Sequence, residues 1–148
     1  MIVSVFDYGA GNPHSLVKVL EGGGATVRVE SDASRLGEAD ALVRPGVGGF
    51  AQAAGRLAPA RSTMKRAIAA GLPTLGVCLG LQLLFDGSDE GAGDGLAIIP
   101  GRVTALKASR VPQLGWNTID DADDPLFAAA PLGVAFVHAW LREAAACS

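Results

Sequence analysis

Apolar residues in this chain fall in short runs, separated by glycine-rich or charged stretches, and the runs alternate between two periodicities. Ile2 to Phe6 is almost continuously apolar, as expected of a strand covered on both faces. Asp7-Tyr8-Gly9-Ala10-Gly11 turns the chain, Asn12 is placed to cap a helix, and Pro13 suits its first position. Leu16, Val19 and Leu20 share one face of that helix, and Gly22-Gly23-Gly24 ends it. Ala25 to Val29 is expected as a second strand, and Asp40 to Arg44 as a third, stopped by Pro45-Gly46. Ser62 is placed to cap a helix running through Ala70, with Met64, Ala67 and Ile68 inward and Gly71 and Pro73 beyond its end. Thr74 to Val77 reads as a fourth strand and Leu79 to Phe85 as the helix after it.

Past residue 86 the pattern weakens. Gly87 to Gly95 reads as a Gly/Asp loop. Ala97 to Leu106 and Leu114 to Ile119 suggest shorter strands, open to antiparallel pairing, and Val134 to His138 a last strand. Asp120 to Asp124 fits a solvated acidic turn, and Leu141 to Ala146 fits either a short helix or a frayed tail. Strands alternating with helices, with neither repeat nor linker, predict one α/β domain over residues 1–148, built on a parallel sheet.

Composition narrows the class. The chain has 148 residues, 49% hydrophobic and 18% charged, which is a globular rather than a disordered profile. Its net charge of −3, with no basic block, gives no electrostatic footprint for nucleic acid. No apolar run reaches the ~18 residues that span a bilayer. The N-terminus has no basic segment or cleavage site of a signal peptide. Two cysteines, Cys78 and Cys147, form neither a disulfide framework nor a metal pattern, so a cytoplasmic setting without metal or cofactor is the expectation. Glycine, 20 of 148, is concentrated in clusters, and the chemistry is sought there.

The sharpest cluster is Gly76-Val77-Cys78-Leu79-Gly80, at a strand-to-helix junction. A nucleophile presented on a tight turn needs small residues two before and two after it. The helix start behind it favours thiolate, the reactive form. Alone, the same pattern also fits a buried cysteine at a strand end. The second cluster, Arg44 to Phe50, follows the third strand at the carboxyl edge of the sheet, where open α/β sheets hold ligands. Its glycines would let backbone N–H groups turn toward a developing oxyanion, although an ordinary glycine-rich turn has the same composition.

These segments resemble the class I (triad) glutamine amidotransferases, and among them the glutaminase subunits of imidazole glycerol phosphate synthase. The likeness rests on Asp7-Tyr8-Gly9-Ala10-Gly11-Asn12, Pro45-Gly46-Val47-Gly48 and Gly76 through Phe85. It continues in Ile99-Pro100-Gly101-Arg102-Val103, Val111 through Asn117 and Phe136-Val137-His138. It implies a flavodoxin-like, doubly wound, mostly parallel sheet. It also implies that Cys78 attacks the glutamine side-chain amide to form a thioester, with Val47, Gly48 and Leu79 supplying the oxyanion hole and Gln82 holding the substrate. Ammonia would pass to a cyclase partner, a (β/α)8 barrel, with Trp116 and Asn117 near that interface. The pathway would be histidine biosynthesis.

The chain also departs from the family, whose base and orienting residue come from a His-x-Glu pair in a segment resembling Gln-Phe-His-Pro-Glu. The histidines here are His14 and His138. His14 reads as a helix-start residue. His138 matches a family histidine that precedes the pair, and Trp140 rather than Glu stands two after it. Ala139 and Trp140 replace a hydroxyl residue and a tyrosine that help to hold glutamine. The expectation is a domain short of its C-terminal strands and helix, poorly stable and weakly active or inactive. A frame shift, an early stop, or a genuinely short, non-catalytic cyclase-binding relative would each give this pattern. A different cysteine-elbow hydrolase is a third reading, disfavoured by Pro45 to Gly48 and Leu114 to Asn117.

Overall fold

The structure, a computed structural model, describes residues 1–107, 109, 111, 113–118, 134–139 and 141–143. The chain divides into two compact units, Met1–Thr104 with Glu143–Ser148, and Ala105–Arg142.

The first unit is built on a parallel sheet. Strand β1 (Ile2–Phe6) lies between β2 (Thr26–Glu30) and β3 (Ala41–Arg44), and β4 (Thr74–Gly76) lies outside β3, giving the order β2-β1-β3-β4. In register, Val5 is opposite Val29 on one side and Val43 on the other, and Arg44 is opposite Gly76. This is the doubly wound order expected of the sequence.

The alternation of residues along the strands divides the core into two layers. Val3, Val5 and Val43 face α1 (Pro13–Gly22), against Leu16, Val17 and Leu20. Phe6, Tyr8 and Leu42 face α2 (Phe50–Leu57) and α3 (Arg61–Ala69), packing with Phe50, Ala53, Leu57 and Met64. Helices on both faces explain why β1 is apolar almost without interruption. Beyond β4 comes a single helical turn, α4 (Leu79–Gln82).

Several boundaries differ from the sequence expectation. Val19 is exposed, and Val17 takes the inward place beside Leu16 and Leu20. Asn12 makes no side-chain cap; its amide donates to Ser15 Oγ instead. Helix α3 begins at Arg61, running on from a 3-10 turn over Ala58–Ala60, so it has no need of Ser62 as a cap. The helix expected to reach Phe85 ends at Gln82, because Leu96 N–H bonds to the Leu83 carbonyl and Ile98 and Ile99 N–H bond to that of Leu84. Those carbonyls serve the following chain rather than another helical turn.

Gly87 to Gly95, expected as a loop, is a hairpin of β5 (Gly87–Ser88) and β6 (Gly91–Asp94), antiparallel across Asp89-Glu90. Strand β7 (Arg102–Ala105) pairs parallel with β5 and covers only the second half of the predicted run from Ala97. In the second unit, β8 (Gln113–Thr118) and β9 (Val134–Ala139) pair antiparallel, with Trp116 opposite Phe136 and Leu114 opposite His138. Leu141–Glu143 is a strand, β10, rather than a helix. Asp120 to Asp124, Trp140 and Cys147 lie outside the described residues.

Candidate active site

Cys78 stands between β4 and α4 with φ +56° and ψ −118°, a backbone state that non-glycine residues rarely hold. Strain of this kind persists only where the surroundings over-determine it. Here they do so through the two flanking glycines. A Cβ on Gly76 would lie 2.5 Å from Leu81 Cα and 2.6 Å from Leu81 N. A Cβ on Gly80 would overlap the Arg44 carbonyl oxygen and lie 2.8 Å from its carbon. The same carbonyl accepts Val77 N–H at 2.9 Å. The elbow is therefore pressed against the end of β3, and its sharpness depends on glycine at both positions. The Cys78 thiol is free and exposed.

The Pro45–Gly49 segment runs directly beside this turn. A Cβ on Gly46 would come within 2.7 Å of both Gly80 N and Tyr8 Oη. The segment is pinned at both ends. Tyr8 Oη donates to the Pro45 carbonyl at 2.7 Å, and Phe50 N–H donates to Glu90 Oε2 at 3.1 Å. Between these anchors Val47 is exposed, and Gly48, at φ +101°, has open space where a side chain would stand. A strap with fixed ends and a free middle can present its backbone N–H groups to a ligand. Gln82 sits one turn beyond Cys78, its N–H donating to the Cys78 carbonyl at 3.2 Å.

Cys78, Leu79, Gln82, Val47 and Gly48 thus belong to one neighbourhood of the first unit. Trp116, which is exposed, and Asn117 lie on β8 of the second unit. His14 is exposed on α1, and His138 is on β9. Among the described residues no group of three or more His, Cys, Asp or Glu is arranged to hold a metal. Nor is any described helix long and apolar enough to cross a membrane.

Sequence reasoning overlooked the support beneath the strap. Arg44 is fully buried, and among the described residues none of its three guanidinium nitrogens has a hydrogen-bond partner. Its guanidinium carbon lies 5.9 Å from the centre of the Tyr8 ring, close enough for a cation–π contact. Burial pulls the Arg44 pKa down to about 10, partly offset by Tyr8. The signal was present in the sequence: an arginine closing the apolar run Ala41-Leu42-Val43, on the same side of the strand as Leu42.

A depressed base is a stability penalty. The unfolded chain holds the proton more tightly, so the penalty is fully present at neutral pH and is relieved as pH rises above about 10. Arg44→Met is therefore expected to raise unfolding free energy at pH 7 by about 1–4 kcal/mol, as replacing buried charge with apolar volume does elsewhere. A higher urea midpoint at unchanged slope is the expected result; a lower midpoint contradicts it.

The comparisons with known proteins point the same way. The family described as glutamine amidotransferase class-I matches residues 4–140. The HisH subunit of imidazole glycerol phosphate synthase from Gloeothece citriformis is 42% identical, over 94% of this chain and 70% of the relative. That from Leifsonia xyli subsp. xyli is 46% identical over 84% and 62%, and that from Methanosarcina mazei 41% over 97% and 74%. The chain thus spans between 62% and 74% of the length of these relatives. A crystal structure of glutamine amidotransferase superposes with a TM-score of 0.67 at 16% identity, covering 79% of this chain and 63% of the other, which establishes likeness of fold. Strand order, elbow and sequence agree: the chain belongs to the class-I glutamine amidotransferases, in the branch formed by the HisH subunits of imidazole glycerol phosphate synthase.

Proposed function

We propose that this chain is a glutaminase subunit, of the kind that releases ammonia from glutamine for a cyclase partner making imidazole glycerol phosphate in histidine biosynthesis, and that with no His-x-Glu pair in residues 1–148 its own turnover is weak or nil. The observation that carries this reading is Cys78, held at φ +56° on a glycine-flanked turn beside a pinned glycine strap. The Cys78 sulfur attacks the side-chain amide carbon of glutamine. The carbon–nitrogen bond breaks, the thiol proton leaves with the amine as ammonia, and a thioester remains. Water then cleaves the thioester to glutamate and restores the thiol. Backbone N–H groups of Val47, Gly48 and Leu79 hold the oxyanion as it forms, and Gln82 holds the substrate. Trp116 and Asn117 face the cyclase, and the complex works in the cytoplasm.

Binding is testable separately from turnover. A Cys78→Ala chain keeps the glycine strap and Gln82 and cannot consume the ligand. Glutamine is expected to raise its melting temperature in a saturable way, since a ligand at a hundred times its Kd adds about 2.7 kcal/mol. Asparagine, one methylene shorter, is expected to do much less. An unchanged melt at saturating glutamine overturns the reading.

A further inference from the structure

We infer that Tyr8 is a positioning residue for the oxyanion strap: its hydroxyl, held by the Arg44 cation against its ring, fixes the Pro45 carbonyl and so aims the backbone of Gly46 to Gly48. The inference rests on the glutaminase reading above and adds a residue to it.

Three observations converge on Tyr8. The hydroxyl bond to Pro45 is buried and spans 37 residues of sequence, so it is a tertiary constraint rather than a local turn. It fixes one plane of the Pro45–Gly46 peptide, and that peptide packs on the elbow, with Gly80 N and Leu79 Cβ at 2.7 and 2.9 Å from where a Gly46 Cβ would stand. A rotation of this plane would therefore be felt at both the strap and the elbow. Next, Arg44 is buried with no hydrogen-bonding partner among the described residues, and the ring of Tyr8 is its cation–π companion. A buried cation over an aromatic face resists displacement of the ring, because moving the ring away strips the charge of that contact. Finally, burial raises the phenol above its ordinary pKa; Arg44 lowers it in part, and Cys78 and Asp7 raise it further. The hydroxyl therefore remains a donor at neutral pH. At the far end the strap is anchored through Phe50 N–H on Glu90, through Ala53 N–H on the Gly49 carbonyl, and by the buried Phe50 side chain. Tyr8 thus controls the end nearest the nucleophile.

The test separates oxyanion stabilisation from thiol reactivity. The full chain is treated with the chloroketone analogue of glutamine, whose carbonyl passes through a tetrahedral oxyanion, and in parallel with iodoacetamide, which alkylates a thiolate without one. Tyr8→Phe keeps every ring atom and the Arg44 contact but removes the hydroxyl. The expected result is a limiting inactivation rate by chloroketone lowered about ten-fold or more. The half-saturating chloroketone concentration and the rate with iodoacetamide at Cys78 stay unchanged. Equal chloroketone rates in the parent and Tyr8→Phe overturn the inference, as does a parallel fall with both reagents. If the parent chain reacts with chloroketone but glutamine gives no protection, the glutaminase reading itself fails, and this outcome is distinct from the other two.

Discussion

Cys78→Ala is expected to abolish capture of a glutamine chloroketone, lowering the rate by roughly three orders of magnitude or more. The thiolate is the one group at the turn able to displace chloride from the reagent, and no described neighbour carries a second thiol. Cys78→Ser keeps the size of the side chain but offers a hydroxyl, a far weaker nucleophile at neutral pH, and should lose nearly as much. Cys78→Gly is the informative companion. It removes the nucleophile and also relieves a φ of +56°, which glycine adopts without strain. Stability should then rise by about 1–3 kcal/mol while capture is lost. That combination would identify the strain as a cost accepted for presenting the sulfur. A Cys78→Gly chain no more stable than the parent would remove the strain from the account.

Gly80→Ala is expected to cost about 3 kcal/mol or more in unfolding free energy. The added Cβ overlaps the Arg44 carbonyl, and that atom cannot retreat easily. It is held by the Val77 N–H bond and lies in the central strand β3, paired on both sides. For a chain of this size the penalty corresponds to a fall in melting temperature of roughly 6–12 °C. Calorimetry reads it directly. Gly55→Ala, at a helical position with nothing within 4 Å of the added carbon, serves as the control and should be neutral or slightly stabilising. A Gly80→Ala melt within a degree or two of the parent would mean that the elbow is not pressed on β3.

Much of the fold was legible because strands covered on both faces leave a plain mark. Ile2 to Phe6 and Ala41 to Val43 could hardly be anything else, and the Gly-Pro and Gly-Gly punctuation fixed the helices between them to within a residue or two. Helix α2 left a fainter mark: Phe50, Ala53, Ala54 and Leu57 hold helical spacing, but half of that face is alanine and a glycine interrupts the helix, so its apolar contrast is low. The β5–β6 hairpin was not legible. Gly91 and Gly93 have no side chain and Ala92 only a methyl, so a period of two leaves almost no trace there. The site divides similarly. Cys78 and its glycines are local in sequence and were found. The Tyr8–Pro45, Arg44–Tyr8 and Glu90–Phe50 contacts join residues 36 to 40 positions apart, and only the parallel crossover and the hairpin bring them together. A lone arginine at the end of a buried strand was the one visible clue to that support.

The most direct test of the account is the site of the chloroketone adduct on the intact chain, read by peptide mass spectrometry with and without excess glutamine. The account predicts one adduct, on Cys78, that glutamine suppresses. An adduct on Cys147, or one on Cys78 that glutamine leaves unaffected, would contradict it.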